Sequence, residues 1–164
     1  VEQPSGGGES IGVNENNLRK MRRAMYAVVN DRRGTAYRSR IIDEEMRMAG
    51  KTGTSQVRNI TAAERRAGVI RNEDLPWERR DHALFVNFAP FDKPKIAVSV
   101  IVEHGGGGSK AAAPIARDIT LQALCGGPPP LEAYPAKDRE QIEAQQEELR
   151  SMQPQAAING QDQA

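Results

Sequence analysis

The stretch "RMAGKTGTSQV", Arg47 to Val57, has Gly-Lys-Thr at its centre, and whether it forms a loop or a strand decides the fold. As the end of a phosphate-binding loop it would need a glycine five residues before the Gly-Lys pair, where a tight turn lets successive backbone N–H groups curl around phosphate. That position is Glu45, whose carboxylate would repel the ligand, and the intervening "MRMA" is not loop-forming. Such a loop also opens a helix, whereas Gly53 and the β-branched Thr52, Thr54 and Val57 disfavour one. The stretch is therefore read as a strand, its small and β-branched residues suited to a pleated surface.

Upstream of it, Leu18, Met21, Met25, Val28 and Val29 recur at helical spacing after Asn14, a capping residue, and "NDRRGT" ends the run. Downstream, "RNITAAERRAGVIRNEDLPWERRDH" is too polar for a core and too long for a turn, a length typical of functional or mobile loops. Trp77, the sole tryptophan, is expected to anchor this excursion to the body. "ALFVNF" and "KIAVSVIVE" then read as strands joined by the hairpin loop "APFDKPK". In the second strand Ile96, Val98, Val100 and Val102 alternate with Ala97, Ser99 and Ile101, so both faces are expected to be covered. After "EHGGGGSK", Ala112, Ile115, Ala116, Ile119 and Ala123 mark a closing helix with Pro114 in its first turn. The succession predicts an α+β fold, an antiparallel sheet packed with helices.

The ends differ in composition. "VEQPSGGGES" is small and polar, and the residues after "GGPPPLEAYPAKD" are rich in Gln and Glu with few large apolar side chains. The expected organisation is a flexible segment 1–13, a folded body 14–125 and a polar, disordered tail 126–164. With 23 basic and 22 acidic residues the molecule carries no net field to draw in nucleic acid. The arginines at 19, 22, 23, 32, 33, 38 and 40 read as a solvated helix face and loop, because no aromatic residues alternate with them to stack bases. The single Cys125 excludes an intrachain disulfide and is placed near a helix end as a small hydrophobe. No apolar run approaches the roughly 20 residues that span a bilayer.

His82 and His104 are the only histidines and have no cysteine at ligand spacing, so no metal and no cofactor is expected. "EHGGGGSK" could carry a dinucleotide fingerprint counted from Gly106 to Ala111. Its preceding strand belongs to a hairpin rather than a βαβ unit, however, and the run reads as a turn with nothing bound.

Lys-Thr-Gly on a strand is the third motif of enzymes that acylate a serine, and each residue has a physical task there. Lys51 would project an ammonium into a cleft, and Gly53 would leave room for a peptide to lie along the strand edge. Thr52 and Thr54 would offer hydroxyls to a substrate carboxylate, and the Thr54 N–H could complete an oxyanion hole. The motif, the long excursion, "DHALFVNFAPFDKPKIAVSVIVEHGGGG" and the closing helix together resemble the C-terminal part of the transpeptidase domain of class B penicillin-binding proteins of the wall-elongation type. The resemblance covers about residues 15 to 125 and includes a "GTA" segment, Gly34 to Ala36, ahead of the motif strand.

The resemblance implies a D,D-transpeptidase on the periplasmic face of the bacterial inner membrane. Stem peptides would be its substrates, β-lactams its inhibitors and wall-elongation proteins its partners, with catalytic roles for Lys51 and Thr54 and substrate contacts from Thr52, Gly53 and Thr54. One departure stands out: no serine has a lysine three residues on, and Ser-x-Asn is absent too. The chain is therefore expected to be the C-terminal portion of a longer enzyme, inactive alone. The competing reading is a self-contained module that binds extended peptides at an exposed sheet edge.

Overall fold

The computed structural model describes residues 12–152. Helix α1, Glu15–Asn30, starts where Asn14 accepts a hydrogen bond from the Asn16 N–H and leads through a turn into strand β1, Ala49–Ser55. The excursion contains one short helix, α2 (Ala62–Ala67), and two 3₁₀ turns. Strands β2 (His82–Ala89) and β3 (Ile96–Val102) form the expected hairpin, and α3 spans Ala112–Cys125. The three strands make one antiparallel sheet in the order β1-β2-β3, with Lys51 opposite Val86 and Phe85 opposite Val100. Both α1 and α3 pack on this sheet, which matches the predicted α+β layering.

Side chains alternate across a strand. Ala83, Phe85, Asn87 and Ala89 point into the core with Val29, Ala36, Ile41, Met48 and the buried alanines of α3. Asn87 is buried there and donates to Thr120 Oγ1 at 2.8 Å, joining β2 to α3. The opposite face is not covered as expected: Val86 is 43% and Ile101 63% exposed, whereas Val98, Val100 and Val102, which share the core face with Asn87, Phe85 and Ala83, are half-buried. The helices lie on one side of the sheet, so the second apolar face meets solvent.

One expectation shifts register. In α3 the buried stripe is Ala112, Ala113, Ala116, Arg117, Thr120 and Leu121, and the predicted Ile115 and Ile119 are exposed. The stripe is rotated because two polar residues are satisfied inside it. Thr120 bonds Asn87, while Arg117 pairs with Asp138 at 2.6 Å and Asp118 at 2.8 Å and lies over the Tyr134 ring.

Those same contacts order the segment read as a disordered tail. Residues 126–152 contain two 3₁₀ turns and a helix α4, Arg139–Met152, with Ala133, Tyr134 and Ile142 buried. The Ala133 carbonyl also accepts from the Ile42 N–H at 2.8 Å. Five buried residues, Pro129 and Pro135 among them, and the pairing with Arg117 hold a segment whose average composition is polar. Residues 1–11 of the expected flexible segment and 153–164 of the expected tail lie outside the described residues. Cys125 does end α3, but exposed, its Sγ 3.7 Å from Met46 Sδ.

Candidate active site

β1 is an edge strand: β2 flanks it on one side, and among the described residues no strand flanks the other. Register and alternation put Lys51 and Gly53 on the open face, opposite Val86 and Leu84, and turn Thr52 and Thr54 toward the helices, opposite Phe85 and Ala83. Lys51 is exposed, and its ammonium donates to the Thr52 carbonyl at 2.6 Å. Thr52 is half-buried, its Oγ1 sharing a hydrogen bond with Thr35 Oγ1 at 3.0 Å; Thr54 is exposed. All four sequence-predicted residues thus lie on one accessible stretch of the strand.

Thr35 is the neighbour that sequence reasoning did not find. The Gly34-Thr35-Ala36 turn folds back on α1, the Ala36 N–H bonding the Val28 carbonyl at 3.0 Å, and this sets the Thr35 hydroxyl beside the motif. Nothing in the spacing signals a contact across 17 positions.

The excursion docks at the far end of β1. Asp81 accepts from the Val57 N–H at 3.2 Å and from the Asn72 side chain at 3.2 Å, and Arg58 grips Glu64 through two bonds of 2.6 and 2.7 Å. The Arg58 guanidinium, followed by other smaller effects, holds the Glu64 carboxyl below its ordinary range. Lys110 does the same to Glu73, tying the glycine-rich run to the excursion at 2.6 Å. Leu75 is the buried anchor of this excursion, whereas Trp77 remains 56% exposed with its ring 4.4 Å from that of His104. The two histidines serve each other: the His104 N–H donates to His82 Nδ1 at 2.9 Å, and His104 Nδ1 lies 3.0 Å from the Arg80 carbonyl oxygen. Among the described residues no three His, Cys, Asp or Glu side chains gather into a possible metal site.

A family model for the penicillin-binding protein transpeptidase domain matches residues 9–121. The peptidoglycan D,D-transpeptidase MrdA of Haemophilus influenzae is 38% identical over 130 residues, covering 78% of this chain and 19% of the relative. That of Acinetobacter baumannii is 43% identical over 100 residues, covering 58% of this chain and 14% of the relative. Among solved structures, penicillin-binding protein PBP2 of Helicobacter pylori, determined in complex with MreC, superposes with a TM-score of 0.53 at 32% identity, over 70% of this chain and 19% of that one. The chain spans between about a seventh and a fifth of the length of these proteins.

Proposed function

The chain belongs to the penicillin-binding protein transpeptidase family, and from that premise we propose that it forms the Lys-Thr-Gly wall of a D,D-transpeptidase that cross-links peptidoglycan stem peptides and is acylated by β-lactams. The observation that carries this reading is the edge of β1, unpaired among the described residues, with Lys51, Thr52, Gly53 and Thr54 accessible along it. An extended substrate would add to that edge as a strand, its backbone satisfying N–H and C=O groups that would otherwise meet only water. Thr52 and Thr54 would receive the substrate carboxylate. The Thr54 N–H would donate to the oxyanion, and the Lys51 ammonium would supply positive charge beside it.

The nucleophile comes from outside this chain, since no serine here has the lysine that would activate it. That serine's oxygen would bond to the substrate carbonyl carbon as the C–N bond breaks and the amine leaves with a proton. The parent protein would act at the periplasmic face of the inner membrane. Its partners would include a protein of the MreC kind, by analogy with the Helicobacter pylori protein. No helix among the described residues is long and apolar enough to cross a membrane. A self-contained peptide-binding module would have to cover both sheet faces, and the exposure of Val86 and Ile101 argues against it.

Intact-mass measurement after incubation with benzylpenicillin tests the proposal. The full-length protein should gain one equivalent of the drug and this chain alone none. A full-length protein that gains nothing, or a stoichiometric adduct on this chain, would refute it.

A further inference from the structure

The glycine-rich run "EHGGGGSK" takes no part in the reading so far, yet its backbone touches the motif strand directly. A Cβ placed on Gly108 would fall 2.2 Å from the Leu84 carbonyl oxygen, 2.5 Å from the Gly53 carbonyl oxygen and 3.1 Å from the Gly53 nitrogen. The neighbouring Gly107 has nothing within 4 Å and no left-handed backbone. Gly108 therefore lies against the one position in the motif that has no side chain, and its own carbonyl accepts the Ala112 and Ala113 N–H groups that start α3. The other side of the run is fastened to the excursion, the Gly106 N–H bonding the Asp81 carbonyl at 2.8 Å and Lys110 pairing with Glu73.

We propose that Gly108 is a positioning residue for acylation: by seating the start of α3 on the Gly53 backbone, it fixes the height of the motif strand at which Thr52 and Thr54 meet substrate. The proposal rests on the transpeptidase reading above. The physical reason is steric. With any side chain at position 108, contacts of 2.2 and 2.5 Å to backbone atoms must open to at least 3.0 Å, and no flexible group is available to yield. A displacement approaching 1 Å in a strand that orients reacting groups costs up to about a hundredfold in rate.

The test uses the full-length protein and reads two quantities: the amount of titratable active site, from the amplitude of acylation by a fluorescent penicillin, and the acylation rate constant of that active fraction. Gly108→Ala should lower the rate constant at least about tenfold, whereas Gly107→Ala should stay within about twofold of the unmodified protein. A role confined to folding would reduce the amplitude and leave the rate constant alone. Should Gly108→Ala yield no folded protein, insertion of one glycine after Gly107 adds no clashing group and lets the run lift from Gly53; it too should lower the rate constant. An unchanged rate constant in either folded variant, or an equal loss in Gly107→Ala, overturns the proposal while the unmodified protein still acylates. Absence of acylation in the unmodified protein overturns the transpeptidase reading and this inference with it.

Discussion

At the scale of single residues, the exposed Lys51 and the buried Arg117 show how differently a positive charge can be used. Lys51 stands on a strand of otherwise small side chains, held by one backbone carbonyl and surrounded by water. Such a group adds little to stability, so its effect should fall on rate. In the full-length protein Lys51→Ala is expected to slow acylation by about two orders of magnitude, roughly 3 kcal/mol at the transition state, with an unchanged melting curve. Unaltered acylation kinetics would make the lysine a solvated strand residue. Arg117 is the reverse case: its side chain is 4% exposed, it lies over Tyr134, and its guanidinium is matched by Asp138 and Asp118. Removing one member of a buried pair leaves the other charge without compensation. Arg117→Ala should therefore cost about 3 kcal/mol in urea unfolding. Asp138→Ala should cost less than that, and the double variant less than the sum, since both remove one interaction. Additive losses would show that the pair is not coupled.

At the scale of elements, legibility followed how directly apolar spacing determined what became buried. The strands and their hairpin were readable because alternation and turn residues act locally, and the Lys-Thr-Gly positions follow from that register. The rotation of α3 was not readable. Hydropathy favours Ile115 and Ile119 over Thr120 and Arg117, but the polar pair finds partners on β2 and on residues 134–138, elements far away in sequence. The ordered part of the tail was missed for the same reason, since Ala133, Tyr134 and Ile142 are too sparse to form a pattern without the surface that receives them. Thr35 and Gly108 reach the motif through backbone geometry, which leaves no periodic trace. The excursion supplies an element-scale prediction. The Arg58 and Glu64 side chains are 12% and 16% exposed, and the pairing depresses the Glu64 pKa in the folded state. A depressed carboxyl contributes stability above its ordinary value of 4.5 and loses it as the pH falls through the lowered folded value. Acidification below that ordinary value should therefore loosen the excursion, and Trp77, the only tryptophan and part of this excursion, should report it by a fluorescence change. In Glu64→Gln the acid transition should disappear; its persistence would assign the change to another group.

For the whole molecule, the deciding fact is that the helices cover one side of a sheet whose other side is also apolar. Val86 and Ile101 are exposed on that side, with Leu84, half-buried, between them as the cross-strand partner of Ile101. Outward of β3, as of β1, no strand follows among the described residues, so the patch runs to two open edges. Exposed apolar side chains on a sheet face, beside open strand edges, invite pairing with another chain. In the proposed full-length transpeptidase, other elements of the domain would cover this face; the chain on its own has to bury it by association. Light scattering coupled to size-exclusion chromatography should therefore give a mass for this chain that rises with concentration. Ile101→Lys, which places a charge on the exposed patch without touching the core, should return it toward the monomer. A monodisperse monomer with a cooperative melt above about 60 °C, high for a mesophile domain, would mean that the face needs no cover, and it would restore the self-contained module as the better account of the fold.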